Sequence, residues 1–490
     1  MTVVQLVDTP SASLDLDSVL LAQRARFRAN PSPSLEERYR RLDVLHNAIV
    51  ENSDRLVAAI NDDFDSRCEA ETLMAEIFPA LEGIKYCRKN LKRWMKPQRR
   101  KVPEILAPAS VKVYAQPLGV IGIVVPWNFP VFLGLSPLIY AIAAGNSAML
   151  KMSEFAPRTG ELLARILADI FPSDLVTVVN GGVDVATQFT NLPFDHLVFT
   201  GSTQVGRIVM RAAAENLTPV TLELGGKSPA IIHEDFPVRE AAKRIAFGKN
   251  MNSGQVCVSP DYILCPRDKV GEFCTDFIAQ ITSGYPAIAS NPDVTSIITD
   301  QQKARLVNYV EDAKSKGARV IEINPSNEDF SNSPKLPMTL LTDVTDDMLV
   351  MQEEIFGPLL PVLPYDTMEE ALEIVNDRDR PLALYYFDWD KERSEQILHK
   401  THSGGACIND TMSHVMADDI PFGGVGPSGI GHYHGREGFE AFSNLRGVVR
   451  KGKFNASALV GAPWDRFVFR ALVAFQWLKH RPKKMKYRVL

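Results

Sequence analysis

Apolar residues in the first fifth of the chain recur at helical spacing. Leu42, Leu45, Ile49, Leu56, Val57 and Ile60 fall mostly three, four and seven positions apart, so helices are expected from about Leu16 to Trp94. Residues 1–14 read as a loose leader, and a second amphipathic run spans Glu71 to Trp94. Val111 to Gln116 alternates like an exposed strand. After Pro117 the texture changes. Short apolar runs at Val120–Val125, Ala148–Lys151, Leu175–Val179, His196–Thr200 and Val220–Leu224 alternate with helix-length stretches at Val131–Ala144, Arg158–Ile170 and Val205–Glu215. Such alternation predicts an α/β fold: a parallel sheet with crossover helices, and ligands outside the carboxyl ends of its strands. A second strand–helix set follows from about Ser228 to Gly423, including Ala230–His233, Tyr262–Cys265, Leu382–Phe387 and Ala406–Asn409.

Length and composition narrow the class. A chain of 490 residues exceeds what one hydrophobic core supports, so two or three domains are expected. Apolar content of 45% with 23% charged residues is that of a soluble globular protein. A net charge of −5 gives no global reason to expect a nucleic-acid partner. The basic cluster Lys92 to Lys101 reads as a solvated helix end that complements the dipole, or else as a phosphate patch. Six cysteines contain no C-x-x-C pair, so reduced thiols in a cytoplasmic protein are the simpler expectation, with no metal site. The first twenty residues lack a basic n-region, and no run of 18 apolar residues occurs.

The candidate chemistry gathers around Asn252-Ser253-Gly254-Gln255-Val256-Cys257-Val258-Ser259-Pro260. A cysteine in this setting reads either as a small buried hydrophobe or as a nucleophile. Strand ends elsewhere supply partners. Asn128 is fixed between two aromatics and two prolines, Lys151 and Glu154 offer a donor and an acceptor for a ribose diol, and Gly201-Ser202 opens a helix suited to an anion. Glu223 closes an apolar strand ahead of two glycines, a desolvated base or else a surface partner of Lys227. Thiol, carboxylate and fixed amide are the parts of acyl chemistry through sulfur. The G-x-G-x-x-G match at Gly424–Gly429 holds a proline and opens no helix, so it reads as a structural loop. His432 and His434 flank Tyr433 at a spacing that fits loop hydrogen bonding better than a metal.

With these residues assembled, the chain from about 35 to 450 resembles the NAD(P)-dependent aldehyde dehydrogenase superfamily. The likeness is carried by Pro126-Trp127-Asn128-Phe129-Pro130, Phe199-Thr200-Gly201-Ser202-Thr203, Glu223-Leu224-Gly225-Gly226-Lys227, Gly254-Gln255-Val256-Cys257 and Glu354-Ile355-Phe356-Gly357-Pro358. Val258-Ser259-Pro260-Asp261-Tyr262 and the stretch Gly423 to Gly435 are similar to the class 3-like branch. Within it, Leu91 to Pro97 is most similar to bacterial coniferyl aldehyde dehydrogenases.

The resemblance implies two doubly wound parallel-sheet domains and a small β oligomerisation flap. Residues 1–108 and 118–226 would bind cofactor, 227–435 would be catalytic, and 109–117 with 440–454 would pair subunits into a homodimer. It implies that Cys257 attacks an aldehyde to give a thiohemiacetal, held by the Asn128 side chain and the Cys257 N–H. Hydride loss leaves a thioester, which water activated by Glu223 hydrolyses. Lys151 and Glu154 would hold the adenosine ribose, Gly201 and Ser202 the pyrophosphate, and Glu354 the nicotinamide ribose. Trp127, Leu224, Gly225 and Phe356 would border the cofactor, NAD being favoured over NADP because Glu154 repels a 2′-phosphate. Phe129, Phe422 and Trp94 are expected around a tunnel for an aromatic aldehyde. A medium- or long-chain alkanal, or a cofactor-free cysteine hydrolase of thioesters, remains the alternative. Residues 455–490 form a basic amphipathic tail, and its stretch 464–490 would dock across a dimer partner or lie on an anionic membrane surface.

Overall fold

A computed structural model describes residues 14–103, 106–453 and 461–480. The expected leader therefore lies outside the described residues except for Leu14, as do the basic tail positions from Arg481 onward. The first helical stretch resolves into helices Leu16–Ala29, Leu35–Glu51 and Ser53–Phe64, then Glu69–Thr72, a π-helical turn at Leu73–Ile77, and Phe78–Trp94.

Among the described residues, one compact unit comprises 14–92 and 117–443 and contains two sheets. The first has six strands in the order Gly429–Ile430, Val220–Glu223, His196–Thr200, Val120–Val124, Ser147–Lys151, Val176–Val179. All its pairings are parallel except that of Gly429–Ile430, which runs antiparallel along Val220–Glu223. The late glycine motif is thus a tight loop leading into an edge strand. The order reverses at Val120–Val124, whose neighbours are the next strand in sequence on one side and a later one on the other. A crevice opens at the carboxyl ends there.

The second sheet has seven strands in the order Arg319–Glu322, Thr339–Thr342, Leu359–Tyr365, Tyr262–Pro266, Pro229–Ile232, Ala383–Phe387, Gly405–Ile408. Only Arg319–Glu322 pairs antiparallel. Sequence periodicity does not reveal Leu359–Tyr365, which holds a central position with Pro361 and Pro364 inside it. Proline lacks the ladder N–H and normally marks an edge. The second unit, 93–116 and 444–490, holds the three-stranded sheet Gln98–Arg100, Ala109–Pro117, Ser443–Lys451 and the helix Phe467–Lys479. Among the described residues no helix is long and apolar enough to cross a membrane.

The helix Phe132–Ala144 is buried along its whole length, so the polar groups at its ends cannot reach bulk water. Two buried charges of complementary sign meet them. At the N-terminus, Glu76 Oε2 accepts from the Val131 and Phe132 N–H groups at 2.7 and 3.1 Å. At the C-terminus, the Arg38 guanidinium donates to the Ala143 and Ala144 carbonyls at 2.9 and 2.6 Å. Each sign complements the helix dipole. Glu76 in turn pairs with the buried Arg67 at 3.2 Å. We predict that Glu76→Leu, which leaves the Arg67 charge buried and unpaired, lowers unfolding free energy by about 3–5 kcal/mol. The Arg67→Met/Glu76→Leu double variant should lose less than the two single losses combined. Urea unfolding checks both, and additive losses would show the pair to be uncoupled.

Candidate active site

Cys257 follows a turn that few sequences can make. Asn252, Ser253 and Gly254 have successive φ values of 50°, 52° and 74°, a left-handed run costly for the two non-glycine residues. Gly254 is obligatory: a Cβ there would come within 2.3 Å of the Gly357 carbonyl oxygen. A buried network holds the run in place. Glu71 accepts from the Asn252 N–H and the Thr295 hydroxyl, both at 3.0 Å. Gln255 donates to the Asn252 and Ser296 carbonyls at 3.0 Å and accepts from the Ile298 N–H at 3.1 Å.

Asn128 is fixed from three sides. Its Nδ2 donates to the Gln255 carbonyl at 3.1 Å, and its own carbonyl accepts from Arg67 at 2.7 Å and from Asn252 Nδ2 at 3.3 Å. Arg67 lies between the rings of Phe64 and Phe129, 4.9 and 4.7 Å from their centroids. Glu71 and Glu76 escape sequence reasoning because they sit inside a helical run, and Arg67 because it falls in the short break between the helices Ser53–Phe64 and Glu69–Thr72. The π-turn Leu73–Ile77 sets the two glutamates, five apart, toward the same arginine.

Two cavities meet at the cysteine. One, of about 660 Å³, is polar and lined by Trp127, Asn128, Gly201, Ser202, Gly225, Glu354 and Phe356 among others. The other, of about 210 Å³, is apolar and walled by Phe129, Phe132, Phe247, Phe422 and Tyr433 with Met74, Met251, Met412 and Met416. Thr200, Glu223 and Cys257 line both. Of the aromatics expected around the tunnel, Phe129 and Phe422 lie on the wall and Trp94 does not. Thr200, which the sequence motif gives no task, lines the junction beside Glu223 and Cys257.

The remaining expected cofactor residues stand apart. Lys151, Glu154 and Leu224 are not among those lining the polar cleft. Lys151 is buried, with its Nζ donating to the Met152 carbonyl at 2.6 Å and lying 3.9 Å from Glu154. Leu224 is buried against Gly206. Lys227 pairs with Asp261 rather than Glu223. His434 is buried, makes no ring hydrogen bond and stacks on Phe422 with centroids 5.0 Å apart, so it packs where loop hydrogen bonding was expected.

Electrostatically the junction disfavours anions. Glu223 is buried with both carboxylate oxygens unpartnered, and burial raises it well above the usual carboxylate range. Burial lifts Glu354 to about 8, Asp261 adding to the rise and the Gly226 N–H opposing it. Burial also lifts Cys257 to about 12, with Glu354 and Glu223 contributing and the Cys257 and Val258 N–H groups opposing. The resting sulfur is therefore a thiol. Lys249, a buried residue that reads in the sequence as an ordinary helix-end cation, has an unpartnered Nζ and is lowered by burial to about 8.

The polar cleft fits a dinucleotide. Glu354 comes so close to Gly225 that a Cβ there would lie 1.9 Å from its carboxylate, which leaves a carboxylate facing a bare backbone cradle. The helix Thr203–Glu215 begins at Ser202, which caps it and exposes free N–H groups to an anion. Trp127 and Phe356 meet edge to face at 5.3 Å and offer an apolar flank.

Comparison with known proteins agrees with this arrangement. Residues 6–448 match the model of the aldehyde dehydrogenase family. A probable coniferyl aldehyde dehydrogenase of Pseudomonas aeruginosa is 53% identical over 453 residues, 92% of this chain and 94% of that protein. The coniferyl aldehyde dehydrogenase of a Pseudomonas species is 42% identical, over 96% and 98% of the two chains. The substrate-bound Staphylococcus aureus AldH superposes with a TM-score of 0.87 at 33% identity, covering 94% of this chain and 99% of that one. The Mycobacterium tuberculosis aldehyde dehydrogenase complexed with NAD+ gives 0.82 at 30%, over 91% and 92%.

The charge arrangement makes a direct prediction. In cofactor-free protein, alkylation of Cys257 by iodoacetamide should be slow near neutral pH and rise toward the thiol value of about 12. Removing an anion that raises a thiol stabilises its thiolate, so Glu354→Gln should shift the midpoint downward. Peptide mass spectrometry against pH reads the rate. A midpoint that stays put or moves upward would refute the coupling.

Proposed function

The chain belongs to the aldehyde dehydrogenase family, and from that premise we propose that it oxidises aromatic aldehydes of the coniferyl type to carboxylates, with NAD as acceptor. One observation carries this reading: a single sulfur lies where an aromatic- and methionine-walled cavity meets a polar cleft shaped for a dinucleotide. Thioether sulfurs make favourable contacts with aromatic rings, which suits a planar conjugated substrate. The names of the similar Pseudomonas proteins support the same class.

Each residue then has a task. The Cys257 thiol gives up its proton to the Glu223 carboxylate, which releases it to solvent before hydrolysis; Sγ then bonds to the carbonyl carbon as the carbonyl electron pair moves onto oxygen. The Asn128 amide and the Cys257 N–H hold that oxyanion, which is why Asn128 is fixed before substrate arrives. The nicotinamide, when bound, supplies the hydride acceptor. Glu223 takes a proton from the water that attacks the resulting thioester, the C–S bond breaks, and sulfur leaves as thiolate. A carboxyl group without hydrogen-bond partners and with a raised pKa is suited to that proton transfer near neutrality. Glu354 would hold the nicotinamide ribose, Gly201 and Ser202 the pyrophosphate, and Trp127, Gly225 and Phe356 the cofactor's borders, with Leu224 supporting them from behind Gly206. Lys151 and Glu154 would reach the adenosine ribose, the latter disfavouring a 2′-phosphate.

The six-stranded sheet serves as the cofactor-binding part, the seven-stranded sheet as the catalytic part, and the three-stranded sheet as a dimerisation surface. A cytoplasmic location belongs to the same reading, in keeping with six free cysteines. The helix Phe467–Lys479 leaves Phe467 84% and Trp477 72% exposed. We assign this face to a second copy of the chain rather than to a membrane.

Cys257→Ser should abolish aldehyde-dependent NADH formation while NAD still binds by calorimetry; undiminished turnover would remove the cysteine from the mechanism. In a substrate panel, coniferaldehyde and benzaldehydes should exceed medium- and long-chain alkanals in kcat/KM. The reverse ranking would overturn the aromatic assignment. The Phe467→Glu/Trp477→Glu variant should sediment as a weakened dimer, whereas an intact dimer that no longer co-sediments with anionic vesicles would favour the membrane instead.

A further inference from the structure

Resting on the aromatic reading above, one group in the substrate cavity remains without a task. Apart from Glu223, the wall has a single ionisable carboxylate, Asp410, and no lysine or arginine lines it. The neighbouring hydroxyls are engaged elsewhere: Thr411 donates to the Arg244 carbonyl at 3.0 Å and Ser413 donates to the Cys407 sulfur. Arg244, the cation closest along this contact, turns to the Asn409 carbonyl and to Glu240. Asp410 forms no ion pair among the described residues. A half-buried carboxylate in an apolar wall keeps unused acceptor capacity.

It lies apart from Glu223 along the cavity wall. Strands Ala383–Phe387 and Gly405–Ile408 run parallel in the register Ala383↔Gly405. Glu223 lies at their starting end: its carboxylate would be 3.2 Å from a Cβ on Gly423, and Gly404 abuts both the Gly423 and Leu382 carbonyls. Asp410 follows the finishing end, where Thr411 packs over Gly248. The cavity lining therefore carries two carboxylates, Glu223 toward the start of this strand pair and Asp410 just beyond its end.

We propose that Asp410 is a specificity-determining residue that accepts a hydrogen bond from a hydroxyl at the end of the substrate remote from the aldehyde, and that it repels substrates bearing an anion there. A rigid phenylpropenal with a 4-hydroxyl carries its hydroxyl donor at the end remote from the carbonyl. An aldehyde with a terminal carboxylate would bring two like charges together in a wall without a cation, which is unfavourable.

The test compares kcat/KM ratios, which do not depend on how much active enzyme a variant retains. For wild type, 4-hydroxy-3-methoxycinnamaldehyde should exceed 3,4-dimethoxycinnamaldehyde by roughly tenfold or more, the scale of a hydrogen bond to a charged acceptor. Asp410→Leu should bring that ratio close to one. Asp410→Asn, which keeps a carbonyl acceptor but removes the charge, should hold an intermediate ratio and raise 4-carboxybenzaldehyde relative to benzaldehyde. A hydroxyl ratio unchanged in Asp410→Leu, or absent in wild type, overturns the proposal while leaving aromatic oxidation intact. If alkanals outrun all aromatic aldehydes, the aromatic reading fails separately. Asp410 is then judged on ω-hydroxyalkanals against alkanals, where a wild-type preference lost in Asp410→Leu supports it and an unchanged ratio rejects it.

Discussion

The arrangement depends on satisfying the ends of one buried helix. Phe132–Ala144 is too apolar to face water anywhere, so its terminal N–H and carbonyl groups need partners inside the protein. Glu76 and Arg38 provide them, and their charges would be costly without further partners. Glu76 finds Arg67, and the same Arg67 Nη1 donates to the backbone carbonyl of Asn128. The requirement that builds the core thereby anchors the backbone of Asn128, the residue proposed to hold an oxyanion. Structure and chemistry share one guanidinium.

The same enclosure shapes the electrostatics around the sulfur. Glu223, Glu354 and Cys257 are each pushed toward their neutral forms, chiefly by burial. Ionising Glu354 or Glu223 raises the cost of ionising Cys257. Lys227 and Arg305 partly offset the rise at Glu354, while burial remains the largest cause at all three groups.

Much of this was legible in the chain because short motifs sit at strand ends. Asn128, Glu223, Cys257, Gly201 and Glu354 all reach the junction or its polar cleft, as the motif order implied. What was hidden has physical causes. A strand with two prolines does not look like a sheet centre, yet Leu359–Tyr365 is one. Glutamates five apart appear to face different ways on an α-helix, and only a π-turn aligns Glu71 with Glu76. Lys249 is indistinguishable in sequence from any basic helix end, and its lack of a partner is a tertiary fact. Lys151 and Glu154 are the opposite case, easily picked out in the sequence yet outside the lining of the polar cleft. Their chemistry suits a ribose diol, but the lysine is already donating to a backbone carbonyl.

That last point bears on cofactor choice. A lysine committed to the Met152 carbonyl has fewer donors left for a phosphate, and the carboxylate 3.9 Å away further weakens its field. A 2′-phosphate would have to displace both influences, whereas a neutral diol needs only an acceptor and a donor already in place. The proposed preference for NAD would then need no steric barrier against the phosphate: burial already disfavours the Lys151 charge, and the Glu154 carboxylate would oppose an incoming anion.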